Sequence, residues 1–268
     1  MPYGTLALDA ISTSGNLTIT GNVTVSGTIS GPVSTITGNI TLTSTSLGTT
    51  YICSGTSTDY AVTLPSATGN AGRTVTFVMS SALTKLVTIT AAGANTIDGS
   101  TTRIMWASES ATLFCDGSNW YKTEGKTIPM VGGMYRSTGT QSIGSGSATK
   151  ATFDAVRASK CPAAMNDTTN SKIIILRPSV YIVDSSVRFK NITGTSGYEV
   201  LTYINGVEQV CCSRYMTSGD WGSIQAIYNF TCAVNDYIET YARQYSGASQ
   251  LLFDNPQNGM SVTEIPQW

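Results

Sequence analysis

Histidine is absent from the 268 residues, and that absence removes much of the chemistry a chain of this length could do. Without an imidazole there is no Ser/His/Asp triad, no Cys/His dyad, no HExxH zinc site and no His-ligated metal. Cysteines and carboxylates remain. The cysteines are Cys53, Cys115, Cys161, Cys211, Cys212 and Cys232. None forms a Cys-x-x-Cys pair, so the spacing is neither a zinc signature nor a dense disulfide framework. It fits free, buried thiols in a protein made in a reducing cytoplasm. Adjacent Cys211 and Cys212 leave two readings open, a strained vicinal disulfide or two buried or edge thiols. Asp154, Asp184, Glu199, Glu208, Asp220, Asp236 and Glu239 could supply the carboxylate pair of a glycosidase. Nothing in the sequence pairs them, and scattered surface acids are the ordinary case. They form no cluster dense enough for calcium. The expectation is a chain that is not an enzyme and needs no metal or cofactor.

Binding chemistry is better represented. Tyr215, Trp221 and Tyr245 fall in or beside the turn-like segments 213–222 and 244–249. Exposed aromatic rings stack on sugar faces, which makes these three the candidate glycan contacts. Packing in a core or in a seam between subunits is the alternative. Charged residues make up 12% of the chain and the net charge is −1, which gives no electrostatic reason to expect nucleic acid or an anionic membrane as partner. No run approaches the roughly 20 apolar residues of a membrane span. The opening MPYGTLALDAIST lacks the basic and apolar regions of a signal peptide.

The elements that must carry these residues are strands. Thr, Ser and Gly crowd the sequence, and Thr, Val and Ile favour extended backbone. Residues 15–43 carry a repeat: Gly15-Asn-Leu-Thr-Ile-Thr, Gly21-Asn-Val-Thr-Val-Ser, Gly27-Thr-Ile-Ser, and, after Gly31-Pro32, Gly38-Asn-Ile-Thr-Leu-Thr. Apolar residues alternate with Thr and Ser, so each unit is a short strand with one apolar face. No unit can bury that face alone. With about four units, a coil stacked along one chain is short and poorly capped, whereas three chains sharing an apolar seam bury it; a disordered Thr/Ser/Gly linker is the alternative. The expected organisation is a particle-anchoring segment at 1–14, a thin trimeric shaft at 15–48, a small antiparallel β domain at 49–125, a Gly/Ser-rich linker at 126–150 and a jelly-roll head at 151–268. Within the head, Asn205-Gly206 marks a hairpin turn. Tyr3, Leu6, Leu8 and Ile11 have no domain around them and read either as a frayed end or as an anchor that adds to a partner surface.

Residues 45–125 resemble the small β modules of phage tail fibres. The stretches that carry the likeness are Ala61-Val-Thr-Leu-Pro, Val87-Thr-Ile-Thr, Asn95-Thr-Ile-Asp-Gly-Ser and Ala111-Thr-Leu-Phe-Cys-Asp-Gly-Ser-Asn-Trp-Tyr-Lys, in that order. The opening resembles phage-fibre N-termini, which implies attachment of Met1 to about Ser14 to the particle. Pro178-Ser-Val-Tyr-Ile-Val, Tyr203-Ile-Asn-Gly and Val234-Asn-Asp-Tyr-Ile-Glu-Thr-Tyr resemble the trimeric jelly-roll heads of the complement-globular and tumour-necrosis-factor-like family, with Asn235-Asp236 where Gly-Asp is usual. These likenesses imply an all-β homotrimer on the virion surface, made in the host cytoplasm. Its N-terminus would hold capsid or tail proteins, and its head would bind a host-surface glycan or protein. A shell-stabilising decoration or cement protein is the competing reading, favoured by a shaft that reaches only about 100 Å even fully extended.

Overall fold

The computed structural model describes residues 31–157, 162–192, 194–219, 221–253 and 256–265. The anchoring segment with Tyr3, Leu6, Leu8 and Ile11, the repeat units before residue 31, Cys161 and Asp220 lie outside them. The described chain is all β, with two single-turn 3-10 helices and no α-helix.

The first module is a stack of coils. β1 (Val33–Ile36) and β2 (Ile40–Thr41) form one turn, β3 (Thr50–Cys53) and β4 (Tyr60–Thr63) the next, and β5 (Thr74–Met79) and β6 (Val87–Thr90) the third. β1, β3 and β5 pair in parallel in one sheet, and β2, β4 and β6 do so in the facing sheet. Parallel register puts like on like: Ile36, Cys53 and Met79 form one buried column, and Tyr51 lies over Phe77 with ring centroids 5.9 Å apart. Val62 pairs with Ile89 on the facing sheet. Three antiparallel strands then close the stack: β7 (Thr102–Met105), β8 (Ser110–Cys115) and β9 (Trp120–Glu124). Trp120 seals it, fully buried.

Two expectations change here. The strands of 49–125 are where the sequence places them, but the first half of the module is parallel, not antiparallel. The end of the presumed shaft, including Gly38-Asn-Ile-Thr-Leu-Thr, is the first coil of this single-chain stack. Alternation reports which face is apolar and is blind to strand direction. The antiparallel strands also supply the cap that a bare repeat lacks.

The head is a two-layer sandwich that begins earlier than expected. Its eight principal strands are β10 (Val131–Tyr135), β15 (Lys172–Ile174), β16 (Ser179–Lys190), β17 (Ser196–Ile204), β18 (Val207–Met216), β19 (Gly222–Cys232), β20 (Tyr237–Gln244) and β22 (Gly259–Ile265). β11 (Gln141–Ile143), β12 (Thr149–Lys150), β13 (Ala155–Val156), β14 (Asn166–Asp167) and β21 (Gln250–Leu252) extend the sheets. One sheet carries β10-β22-β16-β19 and the other β15-β20-β17-β18. Counted in order, the eight principal strands run 1-8-3-6 and 2-7-4-5, which is the jelly-roll winding. Residues 126–150 are therefore not a linker. β10 pairs with β22, and Met130, Met134 and Ile143 are buried in the head core. Gly132-Gly133 reads as flexible in sequence, yet a Cβ at Gly132 would sit 2.9 Å from Ile173 Cγ2. The glycines are there for close packing.

Asn205-Gly206 is the expected hairpin. Both residues have positive φ, 52° and 76°, as the type I′ turn between β17 and β18 requires. Asp154 organises the turn after β10, accepting hydrogen bonds from Ser137 N–H at 2.6 Å, Thr138 N–H at 3.1 Å and the Thr138 hydroxyl at 2.5 Å. Desolvation opposes ionisation there, but these hydrogen bonds outweigh it and draw the carboxyl down to about 2. A depressed carboxylate stabilises the fold above its unfolded value of about 4. Its contribution disappears as pH falls from there towards 2. Stability measured by chemical denaturation should therefore fall more steeply between pH 4 and 2 in the native chain than in Asp154→Asn; identical slopes would refute this.

One buried side chain joins the two modules. Arg177, just before β16, donates to Glu109 of the coil stack at 3.0 and 3.2 Å and to both oxygens of Glu264 on β22, through Nε at 2.8 Å. It also donates to the carbonyls of Ile104 at 3.2 Å and Ile128 at 2.9 Å. Glu109 is 2% exposed and Glu264 5%. Burial works against the guanidinium's charge, but the two carboxylates overcome that and hold Arg177 more firmly protonated than usual. Around this triad Leu86, Ile104 and Trp106 of the stack pack against the head core.

Candidate functional site

Register brings together what the sequence scatters. Tyr215 on β18 pairs directly with Gly197 on β17. On the other side of β17, Tyr245 N–H donates to the Gly197 carbonyl at 3.1 Å. The two tyrosines thus flank a glycine on three adjacent strands and one sheet face. Glu199, two residues along β17, lies on the same face opposite Ser213 and Arg243. A cavity of about 390 Å³ opens between the rings, lined also by Thr195, Ser196, Glu199 and Ser213. Gly197 is its floor: a Cβ there would lie 3.4 Å from Tyr245 Cδ2. Tyr215 is 81% exposed and Tyr245 48%.

Glu199 Oε2 accepts a hydrogen bond from Arg243 Nε at 2.5 Å and another from the Tyr245 hydroxyl at 3.3 Å. The first raises the Arg243 pKa. The phenol of Tyr245 is held above its ordinary range by desolvation, with the Glu199 charge adding to it. The Arg243 guanidinium also lies 5.8 Å from the Tyr245 ring centre, a cation–π distance. The arrangement offers two aromatic faces, a bare backbone floor, a carboxylate acceptor and several hydroxyls.

Trp221 does not join this slot. It packs against Phe253 with ring centroids 5.0 Å apart and planes tilted by 54°, with Arg188 at 5.1 Å over its ring, while Lys190 sits 4.8 Å over Phe253. Both clusters nevertheless occupy the same end of the sandwich. β16 leaves the joint at Ser179 and ends at Lys190, and antiparallel pairing puts Gly222 of β19 and the last residues of β18 and β20 at that far end. Twelve residues of β16 set the clusters roughly 36 Å from the Arg177 triad. All three candidate aromatics are exposed at the tip, not packed in the core.

The remaining acids are each tied to a separate partner: Asp184 to Gln225, Glu208 to Tyr203, Asp236 to Asn205 and the Ala233 N–H, and Glu239 to Lys150. Sequence reasoning counted Glu199 among scattered acids and missed Gly197, Ser213 and Arg243; the only available signal was their shared parity along strands whose register it could not know.

Cys53, Cys115 and Cys232 are buried free thiols, and Cys211 and Cys212 are also free, so no vicinal disulfide forms. Cys211 is exposed, and desolvation followed by the Glu199 charge raises its pKa. Iodoacetamide on the native chain at pH 8 should alkylate Cys211 slowly and leave Cys53, Cys115 and Cys232 unmodified, as peptide mass spectrometry would show; labelling of the three buried thiols at a comparable rate would contradict the packing.

No protein-family model matches the sequence, and no curated protein matches it. Among solved structures the chain is similar to Eiger TNF from S. frugiperda, at 10% identity and a TM-score of 0.39, covering 53% of this chain and 96% of that one. It is similar to murine APRIL at 17% identity and a TM-score of 0.39, covering 52% of this chain and all of that one. At these scores the jelly-roll assignment of the head stands on its strand order.

Proposed function

We propose that the chain is a non-enzymatic fibre protein of a phage particle, held to capsid or tail proteins by its N-terminal segment and presenting its head to the host surface. The observation that carries this reading is the polarity of the molecule. A coil stack on the N-terminal side is welded to one end of a jelly roll, and the exposed aromatics with their cations collect at the opposite end. The sequence resemblance to phage fibres supplies the setting, the virion surface. The full-length protein should bind the particle's host cells and block infection when added in excess. Cells that neither bind it nor are protected would exclude the adhesive role.

The chain acts as a homotrimer in this reading. Among the described residues β19 pairs only with β16, and β18 only with β17, so two long strands present edges. Beside them lie Ile227, 56% exposed, Tyr228, 42%, and Ile182, 38%. An apolar edge of this length invites pairing or burial. Light scattering should give the mass of three 28.2 kDa chains, and Ile227→Asp should shift it towards the monomer; a monomeric native chain would refute the trimer.

The decoration or cement reading remains the competitor, because the tight union of stack and head suits a protein that braces a shell as well as one that reaches outward. Imaging the protein on the particle separates the two: density lying along the shell favours bracing, and a projecting head favours adhesion.

A further inference from the structure

We propose that the slot between Tyr215 and Tyr245 binds one pyranose ring of a neutral sugar. This deepens the reading of the head as the host-facing end and rests on it. Tyr215 on β18 and Tyr245, one residue past β20, lie on either side of Gly197, so their backbones are about 10 Å apart. A flat saturated ring held between two aromatic faces needs two carbon contacts of about 3.5–4 Å each, which fits this gap.

The floor is the second observation. Every other residue type at position 197 would place a Cβ against the Tyr245 ring, at 3.4 Å from Cδ2. Gly197 leaves the cavity of about 390 Å³ open down to backbone. The axial C–H faces of a sugar can then approach both phenols, whose electron-rich faces attract them.

Charge selects the class. Glu199 lines the slot and its charge is already matched by Arg243 at 2.5 Å, so an acidic ligand finds no unpaired cation here. A carboxylate has about four acceptor positions, and Glu199 Oε2 uses its share on Arg243 and Tyr245. What remains suits the hydroxyl pair of a sugar, with Ser213 and Thr195 beside it. A sialic or uronic acid would bring a second carboxylate against the first, at an energetic cost. The site reads a single ring in an open groove, so one site binds on the order of millimolar, and several heads on one particle multiply that through avidity.

The test uses the full-length chain with methyl glycosides of mannose, galactose and glucose, and N-acetylneuraminic and glucuronic acids as charged probes. Saturation-transfer NMR reads sugar binding, and fluorescent protein on host cells reads attachment. At least one neutral glycoside should bind, with the acids at least ten-fold weaker. Tyr245→Ala, Tyr215→Ala and Gly197→Val, the last filling the floor with a good strand former, should each weaken the neutral probe ten-fold or more without changing the melting temperature by more than a few degrees. Native protein that attaches to cells while no neutral glycoside binds, or while binding ignores all three variants, would overturn the slot and leave the host-facing head standing. Preference for the acidic probes would overturn the neutral class. Native protein that attaches to no cells would remove the reading beneath both.

Discussion

Arg177→Ala destabilises the protein by about 3–5 kcal/mol, because it leaves two buried carboxylates without their cation. Glu109 and Glu264 are almost fully buried, and each also accepts from the backbone: Glu109 from Trp106 N–H at 3.1 Å and Ile128 N–H at 2.8 Å, Glu264 from Met130 N–H at 2.9 Å. The anions therefore cannot turn to water without tearing those bonds. Arg177→Met, although closer in volume, should be as damaging. The triple variant Arg177→Met, Glu109→Gln, Glu264→Gln should recover part of the loss, since glutamine removes the charge and keeps an acceptor for Met130 N–H at 264 and for one of the two backbone N–H groups at 109. Urea unfolding of the three proteins decides it. A loss under 1 kcal/mol in Arg177→Ala would mean that water reaches the triad. The form of the curve is a second readout: native protein should unfold in one transition, and a joint without its arginine should let head and stack separate into two.

Trp120→Ala should cost about 3–5 kcal/mol through the cavity it leaves at the capped end of the coil stack. Trp120 is fully buried, and its backbone ties the loop before β7 through Trp120 N–H to Thr96 O at 2.8 Å and Asp98 N–H to Trp120 O at 3.0 Å. Its indole N–H, however, has no hydrogen-bond partner among the described residues. An unpaired buried donor is itself a cost of about 1–3 kcal/mol. Trp120→Phe removes that donor along with some packing, so it should cost much less than the alanine variant, and less than half is the expected result by thermal or urea unfolding. Equal losses in the two variants would show that the indole N–H is satisfied and that shape alone is at stake.

These expectations rest on features the sequence discloses unevenly. Strand positions were legible, because period-two alternation in segments such as Val87-Thr-Ile-Thr and Ile40-Thr-Leu-Thr follows from burying one face. So was the Asn205-Gly206 turn, whose positive φ values few other residue pairs tolerate. Strand direction was not legible. β1, β3 and β5 look like the rungs of an antiparallel meander until their register is known. Nor was the role of Gly132-Gly133, since glycine that makes room for Ile173 and glycine that confers flexibility are the same letter. The tip followed the same division. Tyr215 and Tyr245 stood out as aromatics beside turns. Gly197 and Glu199 did not, because they precede Tyr245 by more than 40 positions and meet it only through the β17–β20 register.

The length of β16 has a mechanical consequence. It pairs with β19 over the whole span Ser179–Phe189 and with β22 over Val180–Ser186, and it runs from the joint to the tip. A pull applied between those two ends acts along the strand, so its hydrogen bonds are loaded together in shear instead of parting one after another as in a zipper. If the proposed roles hold, detachment under flow should begin at the sugar contact or at the particle attachment, with the head still folded.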